Sequence, residues 1–556
     1  MTRAPETLAI IDAGGATTSV SLVARVAGQW RLLGTLAGSA GTPEMALLSI
    51  LTGRVRDADP EFARHAELRE AALDDMPQLV ARTHPPETLA VVGATRRTVD
   101  ELSIHAHRTG WRVAAASTET HDPREMMELI LQREVTAVLI GIGEPPGADE
   151  RAALDDLAAL AGSAARRRPE LRLLLSGALR ARRSWLDALG EDPPGDPARI
   201  TAAPVIAGRR GTGDDLRVAL ERLLDAPDDG RHAARNSAES LAELLDRRIE
   251  LLDIGYHGGA RYLAEPGVAG SPPTSVGIVS VDGGLVPAEP DDEIVDSVLA
   301  WSTGSLDRHR MTDRLRDLRR RPWVDRAGEG ARLRLAAASA ALTRLAALTP
   351  DLGSRAAPDV TILSGGAFAT APPSAVMLTI ADTIRRVGAT QVVLDHGRLL
   401  GPIGTIEDAN ERRLLLSDLV RDALVPLGSL VIGGGQGARP ARRRRSSAAF
   451  ARLSLQLESG AASGSDSSTT VQRDLDADEV AFVDLLPGAR ARALLEFGDV
   501  VRFGRRTRRV NVSVIGGLAG LVVDLRDVPL NLPERRDRRR ARLADWSAQA
   551  WPRDER

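Results

Sequence analysis

Residues 7–18 read TLAIIDAGGATT. An apolar run ends at a carboxylate, Asp12, followed by the pair Gly14 and Gly15 and by the hydroxyls of Thr17 and Thr18. The pattern predicts a buried strand that breaks into a tight turn. Without a Cβ, the glycines let backbone N–H groups come close to phosphate oxygens. Thr17 and Thr18 could donate to the same oxygens. Asp12 cannot bind phosphate, because like charges repel. Its chemistry would be to hold Mg²⁺, usually through water. A plain hairpin turn uses the same residue types, so the stretch alone does not decide a function.

Moving outward, 17–26 and 30–36 read as two further strands, and 43–56 as a helix with Met45, Leu48, Leu51 and Val55 facing inward. Strand–glycine turns occur twice more. ELLDIGYHGG (250–259) delivers Asp253 to Gly255, Gly258 and Gly259, and TILSGG (361–366) leads through Ser364 to Gly365 and Gly366. The third turn suits a base or ribose lying against backbone. Each turn is weak by itself. Three in succession, each at a strand end, form a pattern.

Between about 88 and 206, apolar strands alternate with helical stretches: LAVVG, WRVAAA, VTAVLIGIG and LRLLLSG. Continuous apolar runs of this kind belong to parallel strands covered on both faces, hence an inserted doubly wound unit. Asp122-Pro123 reads as an N-cap and first helical residue. From 249 a second set begins: strands at 249–255, 260–266, 274–281, 359–364 and 390–395, with helical regions at 293–348, 374–387 and 407–424. Asp395-His396 reads as a pair of surface turn residues, since no nucleophile stands at a matched spacing. His105 and His107, two apart on a helix, face different ways and make no metal pair.

The expected fold class is therefore α/β. The domains read as a first lobe over 1–247 carrying the insertion, a second lobe over 248–425, and a flexible Gly/Arg/Ser-rich region with one short strand over 426–470. A β-rich C-terminal domain follows over 471–533, with 427 as its alternative start, and then a charged tail over 534–556. The run Arg442–Arg445 with Ser446 and Ser447 reads as solvated linker.

Composition narrows the chemistry. The chain has 556 residues, with 43% apolar, 27% charged and only 3% aromatic side chains, so its core must be built from Leu, Val, Ile and Ala. There is no lysine, and all 73 basic residues are arginine. A Walker A loop and Schiff-base catalysis are thereby excluded. The absence of cysteine removes disulfides, thiolate metal sites and thiol nucleophiles, and fits a cytoplasmic protein. A formal net charge of −3 gives no reason to expect nucleic acid, and no run approaches a membrane span.

The order of these motifs resembles the actin/sugar-kinase/Hsp70 (ASKHA) superfamily. More narrowly, the chain resembles the glutamate (methylaspartate) mutase accessory protein L family (MutL/GlmL). The matching stretches are IIDAGGATTSVSLV, VLIGIGEPPGADERAALDDLAALA, LLLSGALRAR, ELLDIGYHGGARYL, TILSGGAFATAPPSAVMLTIADTI and QVVLDHGRLLGPIGTI, within about residues 7–415. The resemblance implies a two-lobed actin-like fold with ATP or ADP and Mg²⁺ between the lobes. It implies a role as a chaperone-like accessory protein that supports or reactivates an adenosylcobalamin-dependent mutase.

It places Asp12, Gly14, Gly15, Thr17 and Thr18 in the first phosphate loop, Asp253, Gly255, Gly258 and Gly259 in the second, and Gly365 and Gly366 at the adenosine. Asp12 and Asp253 are the implied catalytic carboxylates, and Asp12 the implied metal ligand. The second loop departs from the family pattern, which continues with two threonines and a second aspartate. Here Tyr256 and His257 hold the tip, and His257 is the candidate replacement donor. Losing two hydroxyls and a carboxylate removes part of what positions a γ-phosphate, so hydrolysis is expected to be weak or absent. The alternatives are a small-molecule kinase using Asp253 as base, and a scaffold that has lost its nucleotide.

Overall fold

The computed structural model describes residues 7–65, 73–142, 147–177, 200–203, 213–224, 228–268, 271–286, 290–322, 327–353, 355–433, 450–458 and 470–551. The arginine run at 442–445, Ser446, Ser447 and most of the 459–470 segment lie outside the described residues. The chain forms two compact bodies, one of residues 1–83, 228–277 and 283–556, the other of residues 84–227 and 278–282.

The first body opens with β1 (Thr7–Ala13), β2 (Thr17–Val26), β3 (Gln29–Ser39) and β4 (Gln78–Arg82), in sheet order β3-β2-β1-β4. β1 lies at the centre, antiparallel to β2 and parallel to β4. Its Ala9, Ile10 and Ile11 are buried, which is why an unbroken apolar run precedes the polar Asp12. The helix Glu44–Ala58 covers this sheet with Leu47, Leu48 and Leu51, while Met45 and Val55 are half-buried at its margin. A parallel bridge joins Arg82 to Asp229, and Arg82 N–H donates to the Asp228 carbonyl at 2.9 Å. The chain thus leaves this body and re-enters it at adjacent points.

The second body holds β5 (Thr88–Gly93), β6 (Arg112–Ser117), β7 (Val135–Gly141), β8 (Arg172–Ser176) and β9 (Ile200–Ala203), all parallel, in the order β6-β5-β7-β8-β9. Alternate residues of β5, β7 and β8 serve opposite cores. Leu89, Val91, Leu139 and Leu174 pack with Val99, Leu102 and Leu220, whereas Ala90, Val92, Ile140 and Leu175 pack with Met126, Ile130 and Leu157. Helices therefore cover both faces, the arrangement that continuous apolar strands require. The helix Pro123–Ile130 begins with a complete capping box. Asp122 accepts from the N–H groups of Arg124 and Glu125, and Glu125 accepts from that of Asp122.

A further sheet holds β10 (Ile249–Ile254), β11 (Gly259–Glu265), β12 (Thr274–Ser280), β13 (Val360–Ser364) and β14 (Gly388–Asp395), in the order β12-β11-β10-β13-β14. This repeats the order of the first sheet. β10 is again central, antiparallel to the next strand and parallel to the one beyond, and again ends at an aspartate, Asp253. Among the described residues, the helical region 293–348 holds the helices Asp292–Trp301, Arg308–Arg320 and Gly328–Leu348. Asp291 and Asp307 cap the first two. Ala336, Ala337, Ala338, Ala340 and Ala341 of the third are all buried.

The boundary near 426 does not separate the sheets. β15 (Leu424–Ile432) pairs with the edge of β14, and β21 (Leu521–Asp524) and β18 (Val480–Val483) extend the sheet further. An open edge offers unpaired N–H and C=O groups, and these strands satisfy it. β16 (Ala451–Leu457), β17 (Thr470–Leu475), β19 (Arg490–Phe503) and β20 (Arg505–Ile515) form a separate antiparallel sheet. Its Leu453, Leu455, Leu495 and Val514 share one core with Val431, Leu521 and Val523 of the long sheet.

The charged tail forms the helix Arg536–Ser547. Its Trp546 lies over the guanidinium of Arg526, 4.4 Å from ring centroid to Cζ. Arg526 is fully buried and pairs with Asp524 at 2.7 Å and with Asp382 at 2.7 Å. Arg385 also reaches Asp524, at 2.5 Å.

Candidate functional site

The three glycine turns share one cavity of about 330 Å³ within the first body. Its lining includes Asp12, Gly14, Gly15 and Thr17 from the first turn, Asp253, Gly255 and Tyr256 from the second, and Ser364, Gly365 and Gly366 from the third. The strand order explains the meeting. β1 and β10 are central strands that end in an aspartate and a turn, and β13 runs parallel to β10 with Ser364 paired to Asp253.

In the first turn, Gly14 N–H donates to the Thr17 carbonyl at 3.0 Å. A Cβ at Gly14 would stand 2.8 Å from that oxygen, so the turn cannot close around a side chain. The second turn closes likewise, with Gly255 N–H donating to the Gly258 carbonyl at 3.0 Å. Gly365 in the third turn has φ +91°, where L side chains are strained.

The expected site residues divide. Asp12, Gly14, Gly15, Thr17, Asp253, Gly255, Gly365 and Gly366 line the cavity. Four others do not appear in its wall. Thr18 is buried in β2, where it pairs with Ala13 of β1. Gly258 closes its own turn. Gly259 is packed in β11 against Gly283, where a Cβ would stand 2.6 Å from the Gly283 carbonyl. His257 is not among the lining residues and lies over Gly15, so that a Cβ at Gly15 would stand 2.2 Å from Cδ2 of the imidazole. Its role is contact between two turns, with Tyr256 beside it at a ring-centroid distance of 4.8 Å.

Sequence reasoning missed a fourth element. Asp395 is not a surface turn residue. It is 2% exposed and lines the cavity. Its carboxylate accepts from Leu399 N–H at 2.9 Å, Leu400 N–H at 3.2 Å and the Ser364 hydroxyl at 3.3 Å. These bonds fix the loop after β14, in which Arg398 adopts φ +54°. The Arg398 guanidinium then reaches Asp12 at 3.2 Å and the Thr17 hydroxyl at 2.7 Å. Arg231 and Arg334 also line the cavity. Arg231 makes a two-point pair with Asp229, at 3.1 and 2.6 Å, and Asp229 caps the helix Gly230–Leu245. The signal available in the sequence was that TQVVLD, like TLAIID, is an apolar run ending in aspartate.

Several carboxylates in a confined space disfavour one another's charge. Burial, then the neighbouring Asp12, pushes Asp253 up to about 7. Burial pushes Asp395 up to about 6 against the pull of its backbone donors. Asp12 is also raised by burial, with Arg398 opposing. Asp229 is held below its ordinary value, because Arg231 overcomes the cost of burial.

Apart from Asp253, the carboxylates at the cavity are already engaged within the chain. Asp12 faces Arg398, Asp395 is taken up by N–H and O–H donors, and Asp229 by Arg231. Among the described residues, no three His, Asp or Glu side chains are grouped so as to hold a metal ion.

No known family model matches the chain, and no curated protein matches it. Solved structures that align with it include the Aquifex aeolicus PPX-GPPA enzyme, at 8% identity over 74% of this chain and 89% of that one, with a TM-score of 0.18. A type II variant of the Aquifex aeolicus Ppx/GppA phosphatase aligns at 9% identity over 74% and 88%, again at 0.18. Scores this low carry no weight for fold or chemistry. None of these comparisons supports the resemblance to mutase accessory proteins. Among the described residues no helix is long and apolar enough to cross a membrane.

Proposed function

We propose that this protein binds a nucleotide, ATP or ADP, in the cavity where the three glycine turns meet, with weak or no hydrolysis. The observation that carries this reading is the shared lining by Gly14, Gly15, Gly255, Gly365 and Gly366. Backbone N–H groups freed of Cβ atoms are the usual means of approaching phosphate. Weak hydrolysis follows from what surrounds the second turn. Tyr256 and His257 replace hydroxyl and carboxylate groups, and His257 packs against Gly15. Little remains there to place a water beside a γ-phosphate.

A second reading, phosphoryl transfer to a small hydroxyl acceptor, draws support from Asp253. A carboxyl raised to about 7 is well matched to taking a proton near neutral pH. The finer role, an accessory factor for an adenosylcobalamin-dependent mutase, rests on the quoted sequence stretches alone.

Thermal unfolding with and without ATP or ADP tests the binding. A ligand at about 100 times its dissociation constant adds roughly 2.7 kcal/mol of stability. Absence of any shift with either nucleotide favours the scaffold alternative, and rapid ATP turnover removes the weak-hydrolysis part.

A further inference from the structure

Arg398 occupies an unusual position. A non-glycine residue at φ +54° is strained, and such strain persists only where surrounding contacts impose it. Here the imposing contacts are the Asp395 bonds to Leu399 and Leu400. Their effect is to aim the guanidinium at the first glycine turn. A Cβ on Gly14 would lie 3.4 Å from Arg398 Nη1, so the cation sits directly over the turn.

The same atom, Nη1, serves both Asp12 and Thr17. A guanidinium has five N–H donors in a planar fork, suited to carboxylate on one edge and phosphate on another. Asp12, the residue that would otherwise attract a divalent cation, is thus neutralised by the chain itself. Arg231, paired with Asp229, and Arg334 line the same wall, as do the carboxyls of Asp253 and Asp395. In a chain without lysine, arginine is the only side chain that keeps a full positive charge at every physiological pH.

We propose that the cavity binds the phosphates of its ligand without a divalent cation, Arg398 supplying the positive charge at the first glycine turn. This rests on the nucleotide reading above. Asp12 then acts as the anchor of Arg398 and not as a metal ligand, and Asp395 acts as the positioning residue that sets the loop.

The test is calorimetric titration of the full chain with ATP and with ADP, once in Mg²⁺ buffer and once in EDTA. The dissociation constants are expected to agree within about threefold. Binding seen only with Mg²⁺, or tightened about tenfold or more by it, overturns the proposal and leaves the nucleotide reading standing. No binding in either buffer removes the nucleotide reading, and this proposal with it.

Arg398→Gly removes the side chain while suiting the left-handed backbone. In EDTA it is expected to bind about tenfold or more weakly, with circular dichroism reporting an intact fold. Unchanged affinity overturns the role of Arg398. Asp12→Asn loosens the anchor of Arg398 and is expected to weaken binding in EDTA, by less than Arg398→Gly does. Unchanged or tighter binding would overturn the anchoring role of Asp12.

Discussion

Gly365 and Asp253 touch across the paired strands β13 and β10: a Cβ at Gly365 would stand 2.6 Å from Asp253 Oδ1 and 2.2 Å from the Ile254 carbonyl. The third turn therefore forms part of the seat of the Asp253 carboxylate. Both the positive φ and the backbone contact require glycine. Gly365→Ala is expected to cost about 2–4 kcal/mol, combining a left-handed alanine with a clash that no rotamer relieves. Urea denaturation measures the loss. A cost below about 0.5 kcal/mol, the range of an ordinary surface change, would show that the turn is laxer than described.

The raised Asp253 makes a directional prediction about pH. Its carboxyl moves from an ordinary value near 3.8 to about 7 on folding. Between these values the native protein holds a proton that the unfolded chain has released, so stability falls as pH rises across the window. The penalty is complete above about 7. Asp253→Asn removes it and should stabilise the protein at pH 8 by about 1–2 kcal/mol, the cavity's water limiting the gain. Near pH 4 the variant should match the parent. Equal stability differences at both pH values would refute the shift.

Arg526 anchors the C-terminal helix to the long sheet. Its guanidinium is buried between Asp524 and Asp382 and covered by Trp546. Removing one partner of a buried ion pair leaves charge without compensation. Arg526→Ala is expected to cost about 3–5 kcal/mol. Trp546→Ala should cost less than that, because the ion pairs survive it. Thermal or urea unfolding of the two variants decides the order, and a reversed order would shift the anchor to the aromatic ring.

Local signals in the sequence were sufficient for strands and turns. The run TLAIID followed by two glycines predicts a central strand and a tight turn, and the same logic serves 250–259 and 361–366. These signals carry chemistry because apolar continuity reports burial and glycine reports close approach. The Arg398 contact has no such signal. It arises when a loop near residue 398 returns to a turn near residue 14, and neither HGRLL nor DAGG encodes the meeting by its own composition. The misread Asp395 shares that cause. Its carboxylate serves backbone donors four and five residues later, in a loop without paired glycines. The join of β15 and β21 to the long sheet was likewise hidden, because glycine- and arginine-rich segments interrupt the strand pattern between them.

The bridge between Arg82 and Asp229 bears on how this chain could acquire, lose or exchange its second body. Closing a long loop costs entropy mainly through bringing its ends together, and that cost grows only slowly with length. Here the ends are held side by side at the sheet's margin, and Asp229 of the bridge is itself the carboxylate that clasps Arg231. The ligand cavity is lined by residues of the first body alone, so its wall draws nothing from the chain between residues 83 and 228.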